Sequence, residues 1–261
     1  MTVLFMELNT SAINTWCPGC SNFGILTAFK SAVSDLTAAR EVAPENIAIF
    51  SGIGCHGKIT EYLNLNSFTS LHGRAIPTAV GAKLANPKLK IIAFVGDGDV
   101  YAEGLDHLIH AAKKNSDITV VVHNNQVFAL TTGQFTPTSP RGLKSKSSPE
   151  GSIEEPLNSL SLMLAAGASL VARSYAYEVK KTADIIKTAI KHKGFSLVEI
   201  IQPCVTFYDT RAAMKDKFYW LDDNYQTNNF TSALNKANED SGKLPLGIFY
   251  QAEKPVFEDA V

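Results

Sequence analysis

The chain has 261 residues, enough for one large α/β domain or two small ones. A net charge of −1 with no basic stripe gives a nucleic-acid partner no electrostatic support, and no apolar run reaches the roughly 18 residues of a membrane span. Residues 1–14 lack the basic start and apolar stretch of an export signal, so the cytoplasm is the expected compartment.

Residues 1–16 carry no period and read as an N-terminal arm. Cys17-Pro18-Gly19-Cys20 follows, then a helix over 22–38 with Phe23, Leu26, Phe29, Ala32 and Val33 on one face. After a connection at 41–46, Ile47-Ala48-Ile49-Phe50 reads as a buried strand. It runs into a glycine turn, Ser51-Gly52-Ile53-Gly54-Cys55-His56-Gly57-Lys58. A loop carrying Leu71-His72-Gly73-Arg74 leads to a helix over 75–85. An apolar strand over 91–95 ends in Gly96-Asp97-Gly98-Asp99, and a helix follows near 104–114. A second apolar strand, 118–123, ends in Asn124-Asn125-Gln126-Val127. Residues 131–156 are rich in Thr, Ser, Pro, Gly and Lys, and a loop this long is usually functional or mobile. A helix (157–166), a strand (169–174), a helix (178–191) and a strand (195–201) bring the chain to Pro203-Cys204. Residues 205–261 lose the alternation and read as an irregular wrapping tail.

No repeat or linker divides the chain, so a single domain over 1–261 is expected. Strands alternating with helices predict an α/β fold, a mainly parallel sheet with helices on both faces. In such sheets the ligand site lies beyond the carboxyl ends of the strands. Cys55, Asp97, Asn125 and Cys204 all fall at such ends, which places the chemistry on one rim.

A lone Gly-Asp-Gly is an ordinary turn; the asparagine pair one helix and one strand later makes it a candidate ligand site. A hard cation such as Mg²⁺ takes near-octahedral oxygens and keeps bound phosphates in its shell. Asp97 offers a carboxylate, Asn125 an amide oxygen and Val127 a main-chain carbonyl, while the glycines let a diphosphate approach the backbone. The four cysteines are Cys17, Cys20, Cys55 and Cys204, and in a reducing compartment disulfides are not expected. Such a set suits structural zinc or an iron–sulfur cluster, and inert buried thiols are a third reading. Only one pair is closely spaced, and Cys55 and Cys204 share the rim of the cation site; both facts favour the cluster.

Trp16-Cys17-Pro18-Gly19-Cys20, Ser51-Gly52-Ile53-Gly54-Cys55, Leu71-His72-Gly73-Arg74-Ala75, Gly96-Asp97-Gly98-Asp99 and Gln202-Pro203-Cys204-Val205 occur in an order that resembles one known family. It is that of the β subunits of 2-oxoacid:ferredoxin oxidoreductases, which includes pyruvate and 2-oxoglutarate synthases. The similarity extends over nearly the whole chain, to the segment 245–250. It implies a thiamine diphosphate-binding fold of the diphosphate-holding kind, with Mg²⁺ and one 4Fe–4S cluster. By position, Cys17, Cys20, Cys55 and Cys204 would hold the cluster, and Asp97, Asn125 and Val127 the Mg²⁺. Ile53, Gly54, Cys55, His56, His72, Gly73, Arg74, Ala75, Gly98, Asp99, Ala129 and Leu130 would line the thiamine diphosphate. His56 departs from the pattern, since many relatives carry serine there.

Lys58, His72 and Arg74 are the catalytic candidates. Lys58 would face a substrate carboxylate, against the plainer reading of a solvated lysine. His72 and Arg74 would make charge-assisted hydrogen bonds to the diphosphate, against an ordinary loop with Arg74 on a surface carboxylate. Arg141, Lys144 and Lys146 are solvated loop charges, or else meet an anionic partner such as coenzyme A or ferredoxin. His107, His110, His123 and His192 are taken as structural or exposed.

The implied reaction is oxidative decarboxylation of a 2-oxo acid with coenzyme A to acyl-CoA and CO₂, with electrons leaving through the cluster to ferredoxin. Such enzymes need a glutamate beside the aminopyrimidine on a second domain of similar build, and no such half exists in this chain. An α subunit is therefore expected to supply the pyrimidine half and the activating glutamate, in an αβ or (αβ)₂ assembly. A charged content of 19%, against roughly 25% in ordinary soluble domains, agrees with surface covered by other subunits. The alternatives are a non-redox thiamine diphosphate decarboxylase or synthase subunit with structural zinc, and a non-catalytic electron-transfer subunit.

Overall fold

The computed structural model describes residues 8–261. The first seven residues of the expected arm lie outside the described part. Of the rest, Leu8 and Trp16 are buried, and Asn9 bridges to Leu63.

The strands are β1 (Ile47–Ser51), β2 (Asn66–Thr69), β3 (Lys90–Gly96), β4 (Ile118–Asn124), β5 (Val127–Phe128), β6 (Gln134–Phe135), β7 (Leu170–Tyr175), β8 (Ser196–Ile201), β9 (Phe218–Trp220) and β10 (Leu244–Gln251). The helices are α1 (Asn22–Ala38), α2 (Ala75–Ala85), α3 (Leu105–Lys114), α4 (Ser159–Ala166), α5 (Val179–Lys191), α6 (Arg211–Met214) and α7 (Phe230–Ala237). Eight strands form one sheet in the order β2-β1-β3-β4-β8-β7-β10-β9, and β5 and β6 form a separate small hairpin. Within the large sheet every pair is parallel except β10 with β7.

The central strands are apolar on both faces because both faces are covered. Ile92, Phe94 and Val121 point into a core shared with α1 and α5. Ile91, Ala93, Val95, Val120 and Val122 point the other way, into a core shared with α2, α3, α4 and α7. The predicted α/β sheet with helices on both faces is what forms. Since β1, β3, β4 and β8 run parallel, the turns after all four open on one rim.

Three expectations need correction. Residues 205–261 are not irregular: they add β9 and β10 to the main sheet, and Leu246 and Phe249 of β10 are fully buried. Pro245 and Gly247 interrupt that strand's pattern, which is why its sequence does not read as one. Phe23 does not face the core but is 39% exposed, its ring edge-on to Trp16 at 5.3 Å. The segment before His72 contains β2, an edge strand exposed on all four residues and paired with β1. Among the described residues no helix is long and apolar enough to cross a membrane.

Candidate functional site

The turn after β3 places Asp97 almost wholly out of solvent. Its Oδ2 accepts hydrogen bonds from the hydroxyls of Thr136 (2.6 Å) and Thr138 (2.7 Å). Burial nonetheless pushes the Asp97 carboxyl up, against the lowering effect of these hydroxyls and of the Asn125 N–H. A divalent cation would relieve that cost. Beyond β4, Asn125 Oδ1 accepts from the Val127 N–H at 3.0 Å, and Gln126 between them is left-handed at φ +62°.

Asp99 sits under two loops, the turn after β1 and the loop before α2. It accepts from the Gly73 N–H at 2.7 Å and more loosely from the Ile53 N–H at 3.4 Å. His56 Nε2 lies 3.3 Å from one carboxylate oxygen and His72 Nδ1 3.5 Å from the other. Burial works against the Asp99 charge, but His56, the Gly73 N–H and His72 together hold its carboxyl below the usual range. With Nδ1 turned to Asp99, the far nitrogen of His72 is the one left for a ligand. Two glycines are required by contact: a Cβ on Gly52 would strike the Asp99 carboxylate, and one on Gly73, at φ +70°, would meet the Glu103 backbone at 2.5 Å.

These turns enclose a cleft lined by Ile53, Gly54, Cys55, His56, His72, Asp97, Gly98, Asp99, Asn125, Val127, Ala129 and Leu130, with Phe128 beside them. The remaining expected contacts stand behind it. Gly73 holds Asp99, Arg74 donates to the Glu103 carbonyl at 2.7 Å, and Ala75 is buried at the start of α2. His56 is buried, its ring packed beneath Gly54 and Gly96.

A second cavity adjoins the first. Cys17, Cys20, Cys55 and Cys204 all line it, together with Trp16, Lys58, Thr206 and Phe207. Cys55, Asn125, Ala129 and Leu130 belong to both walls. The Cys-x-x-Cys turn closes with the Cys20 N–H on the Cys17 carbonyl at 3.0 Å, and Gly19 is left-handed at φ +77°. Trp16 Nε1 ties this turn to the Cys55 carbonyl at 2.6 Å. Ser21 Oγ ties it to the Pro203 carbonyl at 2.9 Å. The Thr206 hydroxyl donates to Cys17 Sγ at 3.3 Å and the Phe207 N–H to Cys204 Sγ at 3.4 Å. Burial, reinforced by the other thiols, pushes the Cys20 thiol up to about 11, and burial likewise raises Cys55. Metal binding would draw the proton from thiols held this way. Among the described residues no three His, Cys, Asp or Glu side chains are grouped to hold a single ion. The thiols instead surround a cavity, an arrangement suited to a cluster, which occupies volume. Lys58 lies on this wall, its Nζ 2.9 Å from Thr15 Oγ1.

Thr136, Thr138 and Thr206 were not singled out from the sequence. Their loops are rich in hydroxyl side chains, and spacing alone does not show which of them turn inward.

Comparison with known proteins agrees with this geometry. Residues 52–200 match the family model described as thiamine pyrophosphate enzyme, C-terminal TPP binding domain. Residues 204–261 match the family model for the C-terminal part of the pyruvate ferredoxin oxidoreductase beta chain. The chain is 41% identical to the 2-oxoacid:ferredoxin oxidoreductase subunit beta of Saccharolobus solfataricus, over 92% of this chain and 82% of that one. It is 38% identical to the 2-oxoglutarate synthase subunit KorB of Archaeoglobus fulgidus, over 97% and 89%. Among solved structures it resembles the 2-oxoglutarate:ferredoxin oxidoreductase from Magnetococcus marinus with 2-oxoglutarate, coenzyme A and succinyl-CoA bound. That match has a TM-score of 0.94 at 32% identity and covers 98% of this chain and 87% of that one.

Proposed function

The chain belongs to the β subunits of 2-oxoacid:ferredoxin oxidoreductases, and from that premise we propose that it catalyses, with an α subunit, the coenzyme A-dependent oxidative decarboxylation of a 2-oxo acid. Electrons leave through a 4Fe–4S cluster to ferredoxin. 2-Oxoglutarate is the first substrate to test, because relatives and a structural neighbour carry its name.

The observation that carries this reading is the shared wall: Cys55, Asn125, Ala129 and Leu130 line both the cleft and the thiol cavity. A diphosphate cofactor in one and a cluster in the other would be separated by little more than these side chains. Asp97, Asn125 and the Val127 carbonyl would hold Mg²⁺ against the diphosphate. Cys17, Cys20, Cys55 and Cys204 would hold the cluster. When bound, thiamine diphosphate supplies the electron sink for loss of CO₂, and the cluster supplies single-electron acceptance.

The chain's own residues orient and shield. Gly98 and Gly54 let the Phe128 and His56 rings pack directly against the turn backbone at the cleft, and His72, its Nδ1 3.5 Å from Asp99, would offer its far nitrogen to the diphosphate. Leu130 stands at the mouth of both cavities, 48% exposed, where it would shape the space for the substrate's side chain. Lys58, from the thiol side, would meet the substrate carboxylate once drawn from Thr15. The α subunit supplies the pyrimidine half and the activating glutamate.

The test is viologen reduction by the chain purified with its α partner, across several 2-oxo acids, with and without coenzyme A, thiamine diphosphate and Mg²⁺. Reduction that needs all three supports the reading; decarboxylation without electron transfer contradicts it.

A further inference from the structure

We propose that the turn at residues 136–139 is a clamp that orients the cation-binding oxygens, with Thr136 and Thr138 as positioning residues for Asp97; this rests on the magnesium reading above. The turn opens the long hydroxyl-rich loop whose sequence suggested a function without naming one.

Both threonine hydroxyls reach the same oxygen of Asp97, Oδ2, and both side chains are buried. An ionised carboxylate accepts about four hydrogen bonds, two on each oxygen. Two hydroxyls on Oδ2 therefore fill that oxygen and turn Oδ1 to a cation, with the Asn125 N–H as a further donor to the carboxylate. The Thr138 hydroxyl lies 2.7 Å from Asp97 Oδ2 and 3.0 Å from Asn124 Oδ1. Its one proton goes to the charged and nearer acceptor.

The turn is itself fixed. The Thr136 N–H donates to Ser139 Oγ at 2.8 Å, and the Ser139 N–H returns to the Thr136 carbonyl at 3.0 Å. Ser139 Oγ then donates to the Gln126 carbonyl at 2.5 Å, while Gln126 Nε2 donates to the Thr138 carbonyl at 3.0 Å. Gln126 stands between Asn125 and Val127, so one turn grips all three oxygen ligands. Behind it, Asn124 Nδ2 donates to Glu199 Oε2 at 3.0 Å. Glu199 is held by Arg173 Nε at 2.8 Å and Ser159 Oγ at 2.5 Å. This run of hydrogen bonds ties Asn124, the last residue of β4 and the neighbour of Asn125, to β8 and β7.

A carboxylate restricted to one free oxygen suits Mg²⁺, which demands near-ideal octahedral geometry. Ca²⁺ accepts bidentate carboxylates and irregular shells. Loss of the clamp should therefore cost Mg²⁺ more than Ca²⁺.

The experiment measures thiamine diphosphate binding to the chain–α complex by calorimetry while Mg²⁺ or Ca²⁺ is titrated, alongside the melting temperature of the metal-free complex. Thr138→Val is expected to raise the Mg²⁺ needed for half-saturation about 10–100-fold, the range for lost partners of metal ligands, with a smaller rise for Ca²⁺. Thr138→Ser, which keeps the donor, should restore the wild-type value. A wild-type Mg²⁺ dependence in Thr138→Val overturns the proposal. So does an equal loss for both ions with a parallel fall in metal-free melting, the mark of a purely structural role. If Thr138→Val fails to assemble, Thr136→Val carries the same expectation and the same refutation. A wild-type complex that binds thiamine diphosphate without any divalent cation overturns the magnesium reading itself, and the clamp with it.

Discussion

Asp99 accepts the Gly73 N–H and lies between two imidazoles, so the turn after β1 and the loop before α2 meet on one carboxylate. Asp99→Asn keeps the shape and removes the charge. Hydrogen bonds to charged groups contribute about 1.5–3 kcal/mol, and a loss of that size is expected in urea unfolding of the variant. An unchanged midpoint would show that the loops hold without it. His123 lies nearby with a different role. Its Nδ1 pairs with Asn22 Oδ1 at 2.8 Å, and its buried Nε2 has no hydrogen-bond partner among the described residues. Burial first, then the charge of His56, push the imidazole well below its ordinary 6.5. Above that pH the ring is neutral in both folded and unfolded chains and stability is full. As the pH falls below about 6.5 the unfolded chain takes up the proton first, so stability declines until the pH passes the lowered folded value. Urea unfolding from pH 7.5 to 5 should record this decline, and His123→Leu should flatten it; a slope unaltered in the variant would assign it elsewhere.

Lys83 on α2 is buried and donates to the Pro87 and Leu89 carbonyls while pairing with Asp117 at 2.6 Å. It fastens α2 to the entrances of β3 and β4, the two strands that deliver Asp97 and Asn125. Removing one partner of a buried pair costs about 3–5 kcal/mol, so Lys83→Met should lower the unfolding free energy by about that amount, moving the urea midpoint down with the slope unchanged. A loss of unfolding free energy below about 1 kcal/mol, the worth of an exposed pair, would contradict this. The elements that deliver the site were readable because β3, β4 and β8 are mostly apolar runs bounded by glycine, asparagine or proline. The edge was not: β2 is exposed on all four residues, and Pro245 and Gly247 break β10. The four cysteines and the Asp97–Asn125 pair could be found because few residue types serve their chemistry. The inward turn of Thr136 and Thr138 depends on a loop path that no local pattern records. β10 covers the edge of β7, so a chain ending at residue 204 should be insoluble or unfolded, as judged by expression and circular dichroism. A soluble, cooperatively folding truncation would mean that the tail is dispensable.

In the proposed assembly the whole chain supplies half of a catalytic centre. Ile53, Phe68, Leu71 and Leu130 are all large apolar side chains left exposed, and Ile53 and Leu130 lie in the wall of the cleft itself. In the proposed assembly this is the side against which the α subunit packs. The isolated chain should therefore show no turnover of any 2-oxo acid, and full activity without a partner would refute the division of labour. The central claim is that thiamine diphosphate and a 4Fe–4S cluster share one wall. Its most direct measurement is electron paramagnetic resonance of the oxidised chain–α complex, frozen after 2-oxo acid is added without any external acceptor. The account predicts a reduced-cluster signal that appears only with thiamine diphosphate and Mg²⁺ present and is lost in Cys55→Ala. A complex that turns over 2-oxo acid with no such signal, or that carries zinc on its four thiols, would contradict it.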